Sequence, residues 1–114
     1  MNEENKDAVG VVLSKAMDMA ALVDYQDGAV VSKTVIKKRT GTVTLFAFDK
    51  GEGLSTHSAP FDALVQILDG EALITIDEDE HHVKKGEMII MPASRPHSVK
   101  AVNPFKMMLV MVKS

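Results

Sequence analysis

The 114 residues contain no cysteine and no tryptophan, one tyrosine and four phenylalanines. Without thiols neither a disulfide nor a thiolate metal centre can form, so a fold must hold by packing and a metal by nitrogen and oxygen donors. No apolar run approaches the ~20 residues of a membrane helix, so no membrane span is expected. Net charge is only -3. The basic residues Lys33, Lys37, Lys38 and Arg39 gather around a turn signal at Thr40-Gly41 and form no stripe, so no nucleic-acid partner is expected. The acidic start Met1-Asn2-Glu3-Glu4-Asn5 is unlike a secretory signal, which makes the cytoplasm the expected compartment.

What the chain does have is alternation punctuated by turn residues. Its length suits one domain with a single core, and 46% hydrophobic with 25% charged residues is ordinary for a globular protein. Residues 1–28 read as an N-terminal segment. Within it Val9, Val12, Leu13, Ala16 and Ala20 recur at near-helical intervals and predict a short helix over Ala8 to Ala21. From residue 29 to 114 turn signals recur at intervals of roughly 8 to 12 residues, as in an all-β sandwich or barrel. Ala29 to Ile36 is rich in β-branched residues, as a strand requires. Thr42 to Phe48 places Val43, Leu45 and Ala47 on one face and Thr44, Phe46 and Phe48 on the other. Both of those faces need cover, the outer one from the N-terminal segment or from a second subunit. Ala63 to Leu68 stops at Asp69-Gly70, which reads as a hairpin turn into Ala72, Ile74 and Ile76. Asp77 to Glu80 and Gly86 read as further turns, Met88 to Met91 as a strand ended by Pro92, and Phe105 to Val112 as a last strand apolar on both faces.

Two histidines bracket the strand-rich centre. Gly51, His57 and Gly70 stand at the spacing Gly, five residues, His, twelve residues, Gly; Gly86, Pro92 and His97 stand at the spacing Gly, five residues, Pro, four residues, His. Together and in this order they resemble the two motifs of the cupin superfamily. The resemblance implies a double-stranded β-helix, or jelly-roll, barrel with an internal cavity, preceded here by a short N-terminal helical segment. It also implies a divalent metal held by three histidines and a glutamate. The chain keeps His57 and His97 of that set and has Ala59 and Ala63 at the other two positions. Ser94 and Ala101 replace the glycine and the asparagine of the second motif.

The resemblance therefore points to a pocket containing His57, Ala59, Ala63, His97 and Met108, with His57 and His97 the metal candidates. A divalent ion such as zinc, nickel, iron or manganese would be held weakly by two imidazoles. Leu54, Phe61, Ile67, Ile90, Met107 and Met111 are further wall candidates, and the alanines should enlarge the space between them. Arg95 at the rim can pair with a ligand carboxylate or simply face water. Gln66 reaches the pocket only through a bulge. His81 and His82, adjacent on one strand, point to opposite faces and cannot share a site. Three functions stay open: binding of a small organic ligand, a metal-dependent oxygenase or isomerase, and a structural partner with an idle pocket. A homodimer is expected in each case.

Overall fold

The computed structural model describes residues 13–113 and is built almost wholly of antiparallel strands. Nine strands run in order: β1 Val30–Lys38, β2 Gly41–Phe48, β3 Gly53–His57, β4 Asp62–Asp69, β5 Glu71–Ile76, β6 Asp79–Lys84, β7 Met88–Met91, β8 His97–Lys100 and β9 Phe105–Val112. They form a five-stranded sheet ordered β1-β2-β9-β4-β7 and a four-stranded sheet ordered β3-β8-β5-β6. The two sheets face each other as the jelly roll that the resemblance implied.

Alternation decides which side chains meet between the sheets. Phe48, Val65, Ile67, Ala72, Ile74, Phe105 and Met107 are fully enclosed there. The rings of Phe48 and Phe105 stack with centroids 4.5 Å apart, and Phe46 stacks on Phe48 at 5.7 Å. Aromatic pairs of this kind add about 0.5–1.5 kcal/mol beyond their area. The barrel is thus solid at this level. β2 behaves as its alternation predicts, with Phe46 and Phe48 inward and Leu45 and Ala47 buried on the outer face under Leu22 and Val23.

Two expectations about local structure change. The predicted helix survives, within the described residues, as one 3-10 turn, Met19–Leu22, capped by the Asp18 carboxylate accepting from the Ala20 amide at 3.2 Å; residues 8–12 of the prediction lie outside the described residues. Asp18 favours a cap over a helix interior, and the stretch gains more by lying along the sheet than by coiling. It is fastened there. The Tyr25 hydroxyl donates to Asp69 at 2.5 Å, while Lys106 donates to the Ala20 carbonyl at 2.7 Å with its ammonium 5.1 Å from the Tyr25 ring centre. Burial and the Asp69 carboxylate both push the Tyr25 phenol well above its usual range.

The second change is at Asp69-Gly70. It makes no hairpin: β4 belongs to the five-stranded sheet and β5 to the four-stranded one, so the chain crosses between layers there. Gly70 has φ +73°, and a Cβ on it would stand 2.4 Å from the Pro104 carbonyl oxygen. Only glycine fits that corner. The true hairpins are β1-β2, and β5-β6 around Asp77-Glu78. Among the described residues no helix is long and apolar enough to cross a membrane.

Candidate functional site

His57 ends β3 and His97 begins β8, and the register pairs them directly. The register shifts between Leu54 and His57, so Leu54 packs against the core while His57 meets the ring of His97. The two rings meet edge to face with centroids 4.4 Å apart. His97 is the buried member, 7% exposed, and His57 is exposed.

Each ring is held by the same local device. His57 Nδ1 lies 2.8 Å from the carbonyl oxygen of Ser55, and His97 Nδ1 lies 3.2 Å from that of Arg95. A carbonyl can only accept, so each Nδ1 carries the proton and donates it. The lone pair of each ring is therefore on Nε2. Burial lowers the affinity of His97 for a second proton, the Arg95 carbonyl partly restores it, and the neighbouring His57 lowers it further. A histidine whose folded pKa lies below its unfolded one contributes stability that is complete above about pH 6.5 and is lost as pH falls through the window beneath.

The rim around the pair is cross-tied. The Ser94 amide donates to the Ala59 carbonyl at 2.7 Å, the Ala93 amide to Asp62 at 2.8 Å, and the Asp77 amide to the Pro96 carbonyl at 2.8 Å. Arg95 grips Asp77 with two nitrogens, Nε at 3.2 Å from one oxygen and the second guanidinium nitrogen on the other. That bond holds the Asp77 carboxyl below its usual range. Arg95 is thus committed to a side chain on the β5-β6 turn and is not a free anion receptor. Ser94 takes φ +65° at the position where the motif has glycine.

The candidate residues separate. His57 and His97 come together as expected. Ala63 is buried on the inner face, directly between Met91 on β7 and Met111 on β9, so the expected extra space is taken up by methionine packing. Ala59 lies in the β3-β4 loop, half-buried. Met108 faces the other way: it packs with Leu45 and Ala47 on the outer layer, because Met107 takes the inward place. Ile90 is likewise outside and 50% exposed, whereas Ile67 and Met107 are core. Gln66 pairs with Met88 and Met108 on the outer face. His82 Nδ1 lies 3.0 Å from Glu71 Oε2 outside the four-stranded sheet, and His81 is exposed. Sequence reasoning missed Ser55, Arg95 and Asp77 as the groups that orient the site; only the shared two-residue offset from each carbonyl to its histidine could have hinted at the first two.

A sequence profile described as a cupin domain matches residues 44–113, more than half of the chain. The chain belongs to the cupin family. Among solved structures, this cupin is similar to a conserved protein of unknown function from Streptococcus pyogenes, at 37% identity over 95% of each chain and a TM-score of 0.90. It is also similar to a cupin 2 conserved barrel domain protein from Leptotrichia buccalis, at 45% identity and a TM-score of 0.80, covering 82% of this chain and 46% of that one. The cupin therefore spans about half of the Leptotrichia protein's length. A cupin superfamily protein from Desulfitobacterium hafniense aligns over 92% of this chain and 96% of its own at 25% identity, with a TM-score of 0.87. No curated protein matches the cupin.

The donor set does not fit the four-ligand metal that the resemblance implied. Ala59 and Ala63 offer no lone pair, and among the described residues no three histidine, cysteine, aspartate or glutamate side chains come together at one point. Two Nε2 atoms remain, against the three or four protein ligands of stable sites.

Proposed function

We propose that this cupin binds a small amphipathic molecule at the barrel mouth, its polar end hydrogen-bonded to the His57–His97 pair. The observation that carries the reading is the fixed tautomer: both Nδ1 protons are spent on the Ser55 and Arg95 carbonyls, which leaves two adjacent Nε2 acceptors. A pair of neutral imidazole acceptors suits a hydroxyl or an ammonium group, and it disfavours a carboxylate. Apolar surface from Leu54 and Ile76, and the thioether of Met111, all three only partly buried, would receive the remainder of the ligand. Methionines re-pack around irregular shapes at low cost.

A thermal-shift screen of small alcohols, amines, sugars and aromatic acids at pH 5 to 8 tests this. Alcohols or amines should raise the melting temperature above pH 6.5, and the effect should fade below it, because a protonated imidazole no longer accepts. His97→Ala should weaken binding by about 1–3 kcal/mol, roughly 5- to 150-fold, since the ligand's donor is left buried without a partner. Stabilisation that appears only with an added divalent metal would overturn the reading in favour of a metal-dependent cupin.

A further inference from the structure

The carboxylate of Asp77 stands where the backbone has no use for one. Asp77 takes φ +56°, in the left-handed region that glycine adopts without steric cost, so the reversal between β5 and β6 does not call for a charged side chain. The loop opposite does not need it either. Ser94 and Arg95 are tied by their amides to the Ala59 carbonyl at 2.7 Å and the Pro92 carbonyl at 3.4 Å, and the Asp77 amide already holds the Pro96 carbonyl at 2.8 Å. All three ties are backbone. The ion pair between Asp77 and Arg95 adds little stability of its own, because their side chains are 33% and 57% exposed.

What the pair does decide is where the guanidinium lies. Asp77 follows Ile76, the register partner of His97, so its carboxylate stands beside the histidines. The Arg95 carbonyl oxygen is 3.2 Å from His97 Nδ1 and about 2.4 Å from its own Cα, which roots the arginine within about 6 Å of the ring. An arginine side chain spans that gap. Released, it would bring a fixed positive charge and a fork of N–H donors to the same opening; gripped through Nε and a terminal nitrogen, it turns both toward Asp77.

We propose that Asp77 is a specificity-determining residue of the mouth: by engaging Arg95 it withholds a cation from the site and closes the site to anionic ligands. This rests on the reading of the histidine pair as a binding site, and it narrows the ligands of that site to neutral or cationic ones. A carboxylate entering the wild-type mouth meets two acceptors and must displace Asp77 to reach the guanidinium. The exchange swaps one carboxylate for another, and only the incoming one loses translational freedom. Without Asp77 the same ligand finds an unopposed guanidinium.

Wild type, Asp77→Gly and the double variant Asp77→Gly/Arg95→Gln should be titrated by calorimetry with benzyl alcohol and with benzoate, which share a skeleton and differ in charge. In Asp77→Gly the ratio of benzoate to benzyl alcohol affinity should rise roughly 5- to 10-fold, between the yield of an exposed ion pair and that of a buried charge-assisted bond. A mouth that is merely loosened would weaken both probes and leave the ratio in place. In the double variant the ratio should return to the wild-type value, which separates Arg95 from Lys113, the cation 5.7 Å from the Phe61 ring centre. An unchanged ratio in Asp77→Gly overturns the proposal, as does a rise that persists in the double variant or benzoate left unbound by every protein. Wild type that takes neither probe while Asp77→Gly takes benzoate would instead sink the acceptor-pair reading and support the role of Asp77.

Discussion

Gly53→Ala tests whether the histidine pair depends on how closely β3 lies on β8. Gly53 is not at a positive φ, so alanine brings no backbone strain there; the cost is steric alone. A Cβ would stand 2.3 Å from the Val99 carbonyl oxygen, 3.2 Å from Lys100 Cα and 3.3 Å from the Val99 carbonyl carbon. Ordinary contact starts at 3.4 Å, so the strands must part by about 1 Å, enough to break an N–H···O bond of normal length. β3 has five residues and lies at a sheet edge, so it yields outward rather than compressing the core. Overpacking costs about 1–3 kcal/mol and a lost ladder bond about 1, and with an edge free to move the sum should be about 2 kcal/mol. As β3 lifts, His57 leaves the edge of His97 and water enters. The two causes that lower the His97 pKa then weaken, and its titration should move up toward 6.5. Urea unfolding gives the first quantity and NMR titration of the four histidines the second. Gly86→Ala is the control: its φ is +88° and nothing lies within 4 Å of the added Cβ, so it should cost about 1–2 kcal/mol of strain and leave His97 untouched. A Gly53→Ala protein that loses the expected stability while His97 titrates as in wild type would refute the reasoning.

Two other substitutions have definite expectations. Ser94→Gly relieves a left-handed serine at φ +65° on an exposed rim and should gain roughly 0.5 kcal/mol after the added freedom of the unfolded chain is subtracted; a net loss in urea unfolding would show that the serine side chain holds the loop. Ala59→His combined with Ala63→Glu should lower metal-free stability by about 1–3 kcal/mol, because the carboxylate enters a position 4% exposed, and zinc should then raise the melting temperature of the variant but not of wild type; equal zinc responses in both proteins would show that other residues complete a metal shell.

The barrel was legible because its evidence is short-ranged. The faces of β2 follow from alternation alone, and the glycines and histidines stand at fixed separations. What escaped the sequence depends on contacts between distant segments. Asp69-Gly70 has the chemistry of a hairpin, yet whether a reversing strand pairs with its predecessor or crosses to the other layer is decided by β7 and β9, which claim the edges of β4. Met107 and Met108 are adjacent and identical, so a strand apolar on both faces gave no sign of which one turns inward. Arg95 and Asp77 are 18 residues apart, and neither looks paired until the β5-β6 turn brings them together. The stripe that predicts a helix over Ala8 to Ala21 carries no sign of what an apolar sheet offers its described part, residues 13–21.

The stacked rings of Phe48 and Phe105 also govern how this protein can diverge. They close the lower barrel with packed rings, while the mouth is framed by bonds between one loop and another: Ser94 to Ala59, Ala93 to Asp62, Arg95 to Asp77. Exposed loop side chains change at a cost of about 0.5 kcal/mol or less, whereas the ring stack would cost several. On the proposed reading of the mouth as a binding site, its loop residues are free to vary, generation by generation, without bringing the chain nearer to its unfolding threshold.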